Sequence, residues 1–159
     1  MASVHEVTSG FSFLECPRWH EGRLWLSDFY THRVLAVEET QVEAVAEVPG
    51  QPSGLEWLPD ERLLVASMRD RRVLRREPDG TLLEHADLSE PATGHLNDML
   101  VDNVGRAYLG NFGFDLMSGA ALRTANLIRV DPDGTARVAA EGLGERHGAA
   151  GRWGDAGGR

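Results

Sequence analysis

The chain has 159 residues, with 16 Lys+Arg against 25 Asp+Glu and a formal net charge of −9. That acidic balance excludes a binder of nucleic-acid phosphates, which needs a basic face, and no apolar run reaches the roughly 18–20 residues of a membrane span. A hydrophobic content of 42% forms a core, and the single cysteine, Cys16, leaves no intramolecular disulfide, which suits a reducing cytoplasm.

In chain order, the first recognisable unit is Trp19-His20-Glu21-Gly22-Arg23-Leu24-Trp25-Leu26-Ser27-Asp28. It is an apolar strand end, a polar turn, an Arg, and a second apolar strand that ends in small polar residues. Arg33–Val37 and Val42–Val48 read as the next two strands. The same grammar returns at Trp57–Ser67, followed by Arg72–Arg76 and Leu82–Leu88. It returns again at Val101–Asn111, followed by Leu127–Asp131 and Ala136–Ala140. Ser27 to Ser67 is 40 positions, and Ser67 to Asn111 is 44. Pro78-Asp79-Gly80 and Pro132-Asp133-Gly134 mark hairpins, because the turn needs a positive φ that Gly adopts without steric cost. Four short antiparallel strands in about 40–45 residues is the size of one propeller blade. No window sustains helical periodicity between capping signals. The prediction is an all-β chain of about three four-stranded blades over residues 1–143, with Asp115–Thr124 as a loop over one face.

Closed propellers have roughly 4–8 blades, so three do not close on themselves. Either two chains complete one ring or this chain is part of a longer one. Residues 144–159 hold six Gly and show no strand alternation. They are expected to be a disordered or out-of-frame tail. Uncovered blade edges are expected to allow self-association.

Glu15, Ser53 and Asn97 each lie four residues before Trp19, Trp57 and Val101. The repeats therefore predict that they occupy one equivalent place, just ahead of the innermost strand, where propeller side chains crowd the central channel. All three carry oxygen, which is what a hard divalent cation takes.

Phe13-Leu14-Glu15-Cys16-Pro17-Arg18-Trp19, Gln51-Pro52-Ser53-Gly54-Leu55-Glu56-Trp57 and His95-Leu96-Asn97-Asp98-Met99 resemble the senescence-marker-protein/gluconolactonase/luciferin-regenerating-enzyme family. The resemblance runs from about Val4 to Leu143. It implies a six-bladed β-propeller of which this chain is the N-terminal half, with one divalent cation in the channel: Ca²⁺ first, with Zn²⁺, Mn²⁺ or Mg²⁺ as alternatives. It implies hydrolysis of a small lactone or ester. Glu15 matches the family's first metal ligand, and Asn97, with Asp98 and His95, its substrate-contacting stretch. His95 stands where some members have Arg. The later ligands and the Asp expected to act as base have no counterpart here, so no catalytic residue is assigned and the chain is expected to be inactive alone. A non-catalytic binding propeller and a strictosidine-synthase-like propeller enzyme are the alternative readings.

Other patterns take plainer readings. Arg69, Arg71, Arg72, Arg75 and Arg76 read as the solvated side of a strand rather than a nucleic-acid patch. Trp19, Trp25 and Trp57 read as packing between blades. Strand alternation turns Cys16 away from Glu15, toward the core.

Overall fold

The computed structural model describes residues 3–114, 118–121 and 123–143. The described chain holds twelve strands: β1 Leu14–His20, β2 Arg23–Asp28, β3 Arg33–Glu38, β4 Gln41–Glu47, β5 Pro52–Trp57, β6 Leu63–Ser67, β7 Arg72–Arg76, β8 Leu82–Asp87, β9 Leu96–Val101, β10 Ala107–Asn111, β11 Ala125–Val130 and β12 Ala136–Leu143. They form three four-stranded antiparallel sheets, β1–β4, β5–β8 and β9–β12, each in sequential order. Among the described residues, the helical content is one 3-10 turn at Phe29–Thr31, and no helix is long and apolar enough to cross a membrane. The Asp-Gly turns behave as their chemistry requires: Gly80 sits at φ +88° and Gly134 at φ +87°.

The sheets stack through their faces, because alternate residues of each strand point to opposite sides. Trp25, Val34 and Ala36 of the first sheet pack on Leu55, Leu63 and Val65 of the second. Leu64, Ala66 and Val73, from the other face of the second sheet, pack on Met99, Leu109, Ile128 and Val130 of the third. The middle sheet is thus buried on both faces, and all five residues of β6 are buried. Strand β5 lies against both β1 and β9, so the three leading strands form one inner edge. Trp19 is the exception among the described tryptophans. It is 73% exposed, whereas Trp25 is 9% exposed and packs in the core. The expected lid loop is described only at residues 118–121, 123 and 124, and the expected tail of residues 144–159 lies outside the described residues.

Candidate functional site

A cleft of about 350 Å³ opens at the starts of the three inner strands. Its walls are Leu14, Glu15, Cys16 and Pro17 of β1, Ser53 and Gly54 of β5, and Asn97 and Asp98 of β9. Each inner strand carries one extra residue at this level. Register shifts fall between Glu15 and Arg18, between Pro52 and Leu55, and opposite Leu109 and Asn111 on β9. Such bulges bend a strand and re-aim its side chains. Alternation therefore fails locally: Cys16, at φ +50°, lines the same cleft as Glu15 instead of turning away from it.

Pairing also refines the predicted equivalence. Glu15 is opposite Ser27, Pro52 opposite Ser67, and Leu96 opposite Asn111. By ladder position, the counterparts of Ser53 and Asn97 are therefore not Glu15 but Cys16. The first hairpin closes His20 on Arg23, whereas the second closes Trp57 on Leu63 and the third Val101 on Ala107. Trp57 and Val101 are therefore the counterparts of His20 rather than Trp19, and equal counts back from Trp19, Trp57 and Val101 conceal a one-residue offset. Glu15 still reaches the cleft because the bulge gives β1 two consecutive residues there.

The floor is a relay of hydroxyls. Ser27 Oγ donates to Ser53 O at 2.7 Å, and Ser53 Oγ donates to Asn97 O at 2.8 Å. Gly54 permits the close approach: a Cβ there would lie 2.8 Å from Asn97 O and from Met99 N. Cys16 Sγ accepts from Leu55 N–H at 3.0 Å and donates to Asp98 Oδ1 at 3.2 Å. Burial pushes the Cys16 thiol up to about 12. The Leu55 N–H opposes this, and the Asp98 carboxylate adds to it. Cys16 is thus a neutral thiol near pH 7, not a nucleophile. Arg18 spans the inner edge. It donates to Glu56 at 3.3 Å, to Asp98 at 2.7 Å and to Met99 O at 3.1 Å.

Of the predicted site residues, the fold brings Glu15, Asn97 and Asp98 together. His95 lines a separate recess with Arg69, Arg71, Thr93 and Gly94. Two supporting residues carried no motif. Asp28 is 3% exposed and accepts from Ser12 N–H at 3.1 Å, Phe13 N–H at 3.0 Å, Thr31 Oγ1 at 2.8 Å and the Ser12 hydroxyl. It anchors the segment that leads into Glu15. Asn111, fully buried, accepts from Thr93 Oγ1 at 2.9 Å and donates to Asn126 O at 2.7 Å. The signal in both cases was the small polar residue that ends the second strand of each unit.

Calcium takes about 6–8 oxygens from carboxylates, amides and carbonyls. Glu15 and Asn97 supply that chemistry. Asp98 is engaged by Arg18, and the Ser53 hydroxyl is donated to Asn97 O. Among the described residues, no three His, Cys, Asp or Glu side chains gather to hold a metal. These residues fit part of a cation shell, not a whole one.

A family model described as SMP-30/Gluconolactonase/LRE-like region matches residues 13–150. A gluconolactonase from Xanthomonas campestris superposes with a TM-score of 0.68 at 22% identity, over 82% of this chain and 48% of that one. A calcium-binding protein, regucalcin, from Agrobacterium tumefaciens superposes at 0.66 and 18% identity, over 84% and 45%. A luciferin-regenerating enzyme does so at 0.65 and 16% identity, over 84% and 47%. The chain spans about half the length of these solved structures. No curated protein matches it. The likeness establishes the fold: three blades of a β-propeller, short of a closed ring.

Proposed function

The chain belongs to the SMP-30/gluconolactonase/LRE-like family, and from that membership we propose that it is the N-terminal half of a divalent-metal-dependent lactone or ester hydrolase. The observation that carries this reading is the sharing of one inner-edge cleft by the Glu15 carboxylate and the Asn97 amide, from the first and third blades. Glu15 would be one ligand to a divalent cation, Ca²⁺ first among the candidates, which would supply Lewis-acid polarisation of a carbonyl oxygen. On this chain Asn97 orients the substrate. Asp98 contacts substrate from the cleft wall, where Arg18 fixes its carboxylate. His95 contacts it from the neighbouring recess.

The chain alone is inactive in this reading. The Glu15 carboxylate and the Asn97 amide are too few donors for calcium, which takes about 6–8 oxygens, and the cleft's second carboxylate is paired with Arg18. The substrate is a small lactone or ester, and a cytoplasmic setting suits the neutral Cys16 thiol.

The test assays the purified chain with Ca²⁺, Zn²⁺ and Mn²⁺ against a lactone panel. A chimera that continues it through three blades of a structural relative is assayed beside it. The expected result is metal-dependent turnover by the chimera alone, lost in its Glu15→Gln variant. Comparable turnover by the chain itself overturns the half-site reading.

A further inference from the structure

Beside the cleft lies a second recess, of about 240 Å³, lined by Arg69, Arg71, Thr93, Gly94 and His95. None of these residues carries a carboxylate, in a chain whose net charge is −9. The basic run from Arg69 to Arg76 divides here into two groups. Arg72 pairs with Glu84 and Asp87, Arg75 with Glu77 at 2.6 Å, and Arg76 donates to Val45 O at 3.2 Å. These three are spent on the strand surface, Arg72 and Arg75 in ion pairs and Arg76 on a backbone carbonyl. Arg69 makes no ion pair or side-chain hydrogen bond among the described residues. Asp70, between the two lining arginines, packs against Gly50, where an added Cβ would lie 2.4 Å from its Oδ1.

Arg71 is fixed in place. Its backbone sits at φ +56°, its carbonyl accepts from Leu88 N–H at 2.8 Å, and one guanidinium nitrogen donates to Ala92 O at 3.1 Å. The remaining N–H groups of that guanidinium meet no acceptor among the described residues. The Thr93 hydroxyl proton is used on Asn111. The donors on offer are therefore Arg69, the rest of Arg71 and the His95 ring. Guanidinium forks match the planar or tetrahedral oxygens of carboxylate and phosphate. His95 precedes Asn97 by two residues, immediately ahead of β9, a separation of at most about 7 Å along extended chain, which is the span of a small substrate.

We propose that Arg69, Arg71 and His95 form a recess for an anionic group, so that the substrate of the neighbouring cleft is a lactone or ester bearing a carboxylate or phosphate. The substrate half of this statement rests on the hydrolase reading above; the anion recess itself does not. The test is calorimetric titration of the 159-residue chain with inorganic phosphate and, separately, with succinate, after metal has been stripped from protein and buffers on a chelating resin. Chelation removes any metal-bound mode, so failure of the hydrolase reading leaves this result untouched. Saturable one-to-one binding of at least one anion is expected, and the stronger binder identifies the group. Affinity falls at least tenfold in Arg69→Gln, is largely kept in Arg69→Lys, and is unchanged in Glu15→Gln. Arg69 has no described partner, so its variants keep the wild-type circular dichroism. The proposal is overturned if neither anion saturates, if Arg69→Gln binds like wild type, or if Glu15→Gln removes binding.

Discussion

Arg18 on the first blade donates to the carboxylate of Asp98 on the third at 2.7 Å, across the inner edge of the second. The same guanidinium takes Glu56 of the second blade at 3.3 Å and Met99 O of the third at 3.1 Å. One side chain therefore ties together the three strands that wall the cleft.

The energy of this tie is unevenly divided. Asp98 is 63% exposed and Arg18 24% exposed, so solvent screens their attraction. A double-mutant cycle of Arg18→Met and Asp98→Asn should give a coupling below about 1 kcal/mol. Arg18→Met alone should cost more than that coupling in urea unfolding, because Glu56 and Met99 O lose their donor as well. A coupling above about 2 kcal/mol would mean that the pair is far better shielded than its exposure indicates.

Gly54 to Ala should destabilise by about 1–3 kcal/mol, since backbone atoms of β9 stand where the new Cβ must go. Thermal unfolding should show a fall of at least about 3 °C. An unchanged midpoint would show that β5 and β9 separate without cost.

Burial works against the charge of Asp28, but the Ser12 hydroxyl, Phe13 N–H and Thr31 hydroxyl overrule it and hold the carboxyl below the usual carboxylate range. A carboxyl depressed on folding contributes stability that is complete above its unfolded value, about 3.9, and is lost as pH falls toward the folded one. Denaturant midpoints measured from pH 6 down to pH 3 should fall for wild type. In Asp28→Asn they should start lower and decline less. Parallel curves would show that this carboxyl does not govern the acid response.

Cys16 at about 12 carries a thiolate fraction near pH 8 that is smaller than that of an ordinary cysteine by about three orders of magnitude. Alkylation by iodoacetamide at pH 8 should run more than tenfold slower than on glutathione, and rise in Asp98→Asn, which removes the neighbouring negative charge. Reaction at the glutathione rate would place the thiol outside its buried hydrogen bonds.

The blades were legible in the residues. Three repeats of strand, Arg and strand, with Asp-Gly turns at Asp79-Gly80 and Asp133-Gly134, are local instructions. Hydrophobic alternation and turn chemistry act over a few residues and do not depend on the rest of the chain. The gathering of Glu15 and Asn97 was legible to within one residue, because repeated units bring the starts of their inner strands to one edge.

The tertiary structure decided the finer geometry. The bulge in β1 brings Cys16 beside Glu15, and the tighter first hairpin makes Cys16, rather than Glu15, the positional counterpart of Ser53 and Asn97. They depend on pairing with strands elsewhere in the chain, which a residue count from the turn does not register. His95 stands only two positions from Asn97 yet opens into another recess, where Arg69 and Arg71 meet it from the preceding blade. The reach of Arg18 to Asp98 joins residues 80 positions apart. Periodicity fixes which face of its own strand a side chain takes; which partner it meets across a blade depends on how the sheets stack, and that is set by the packing of all three together.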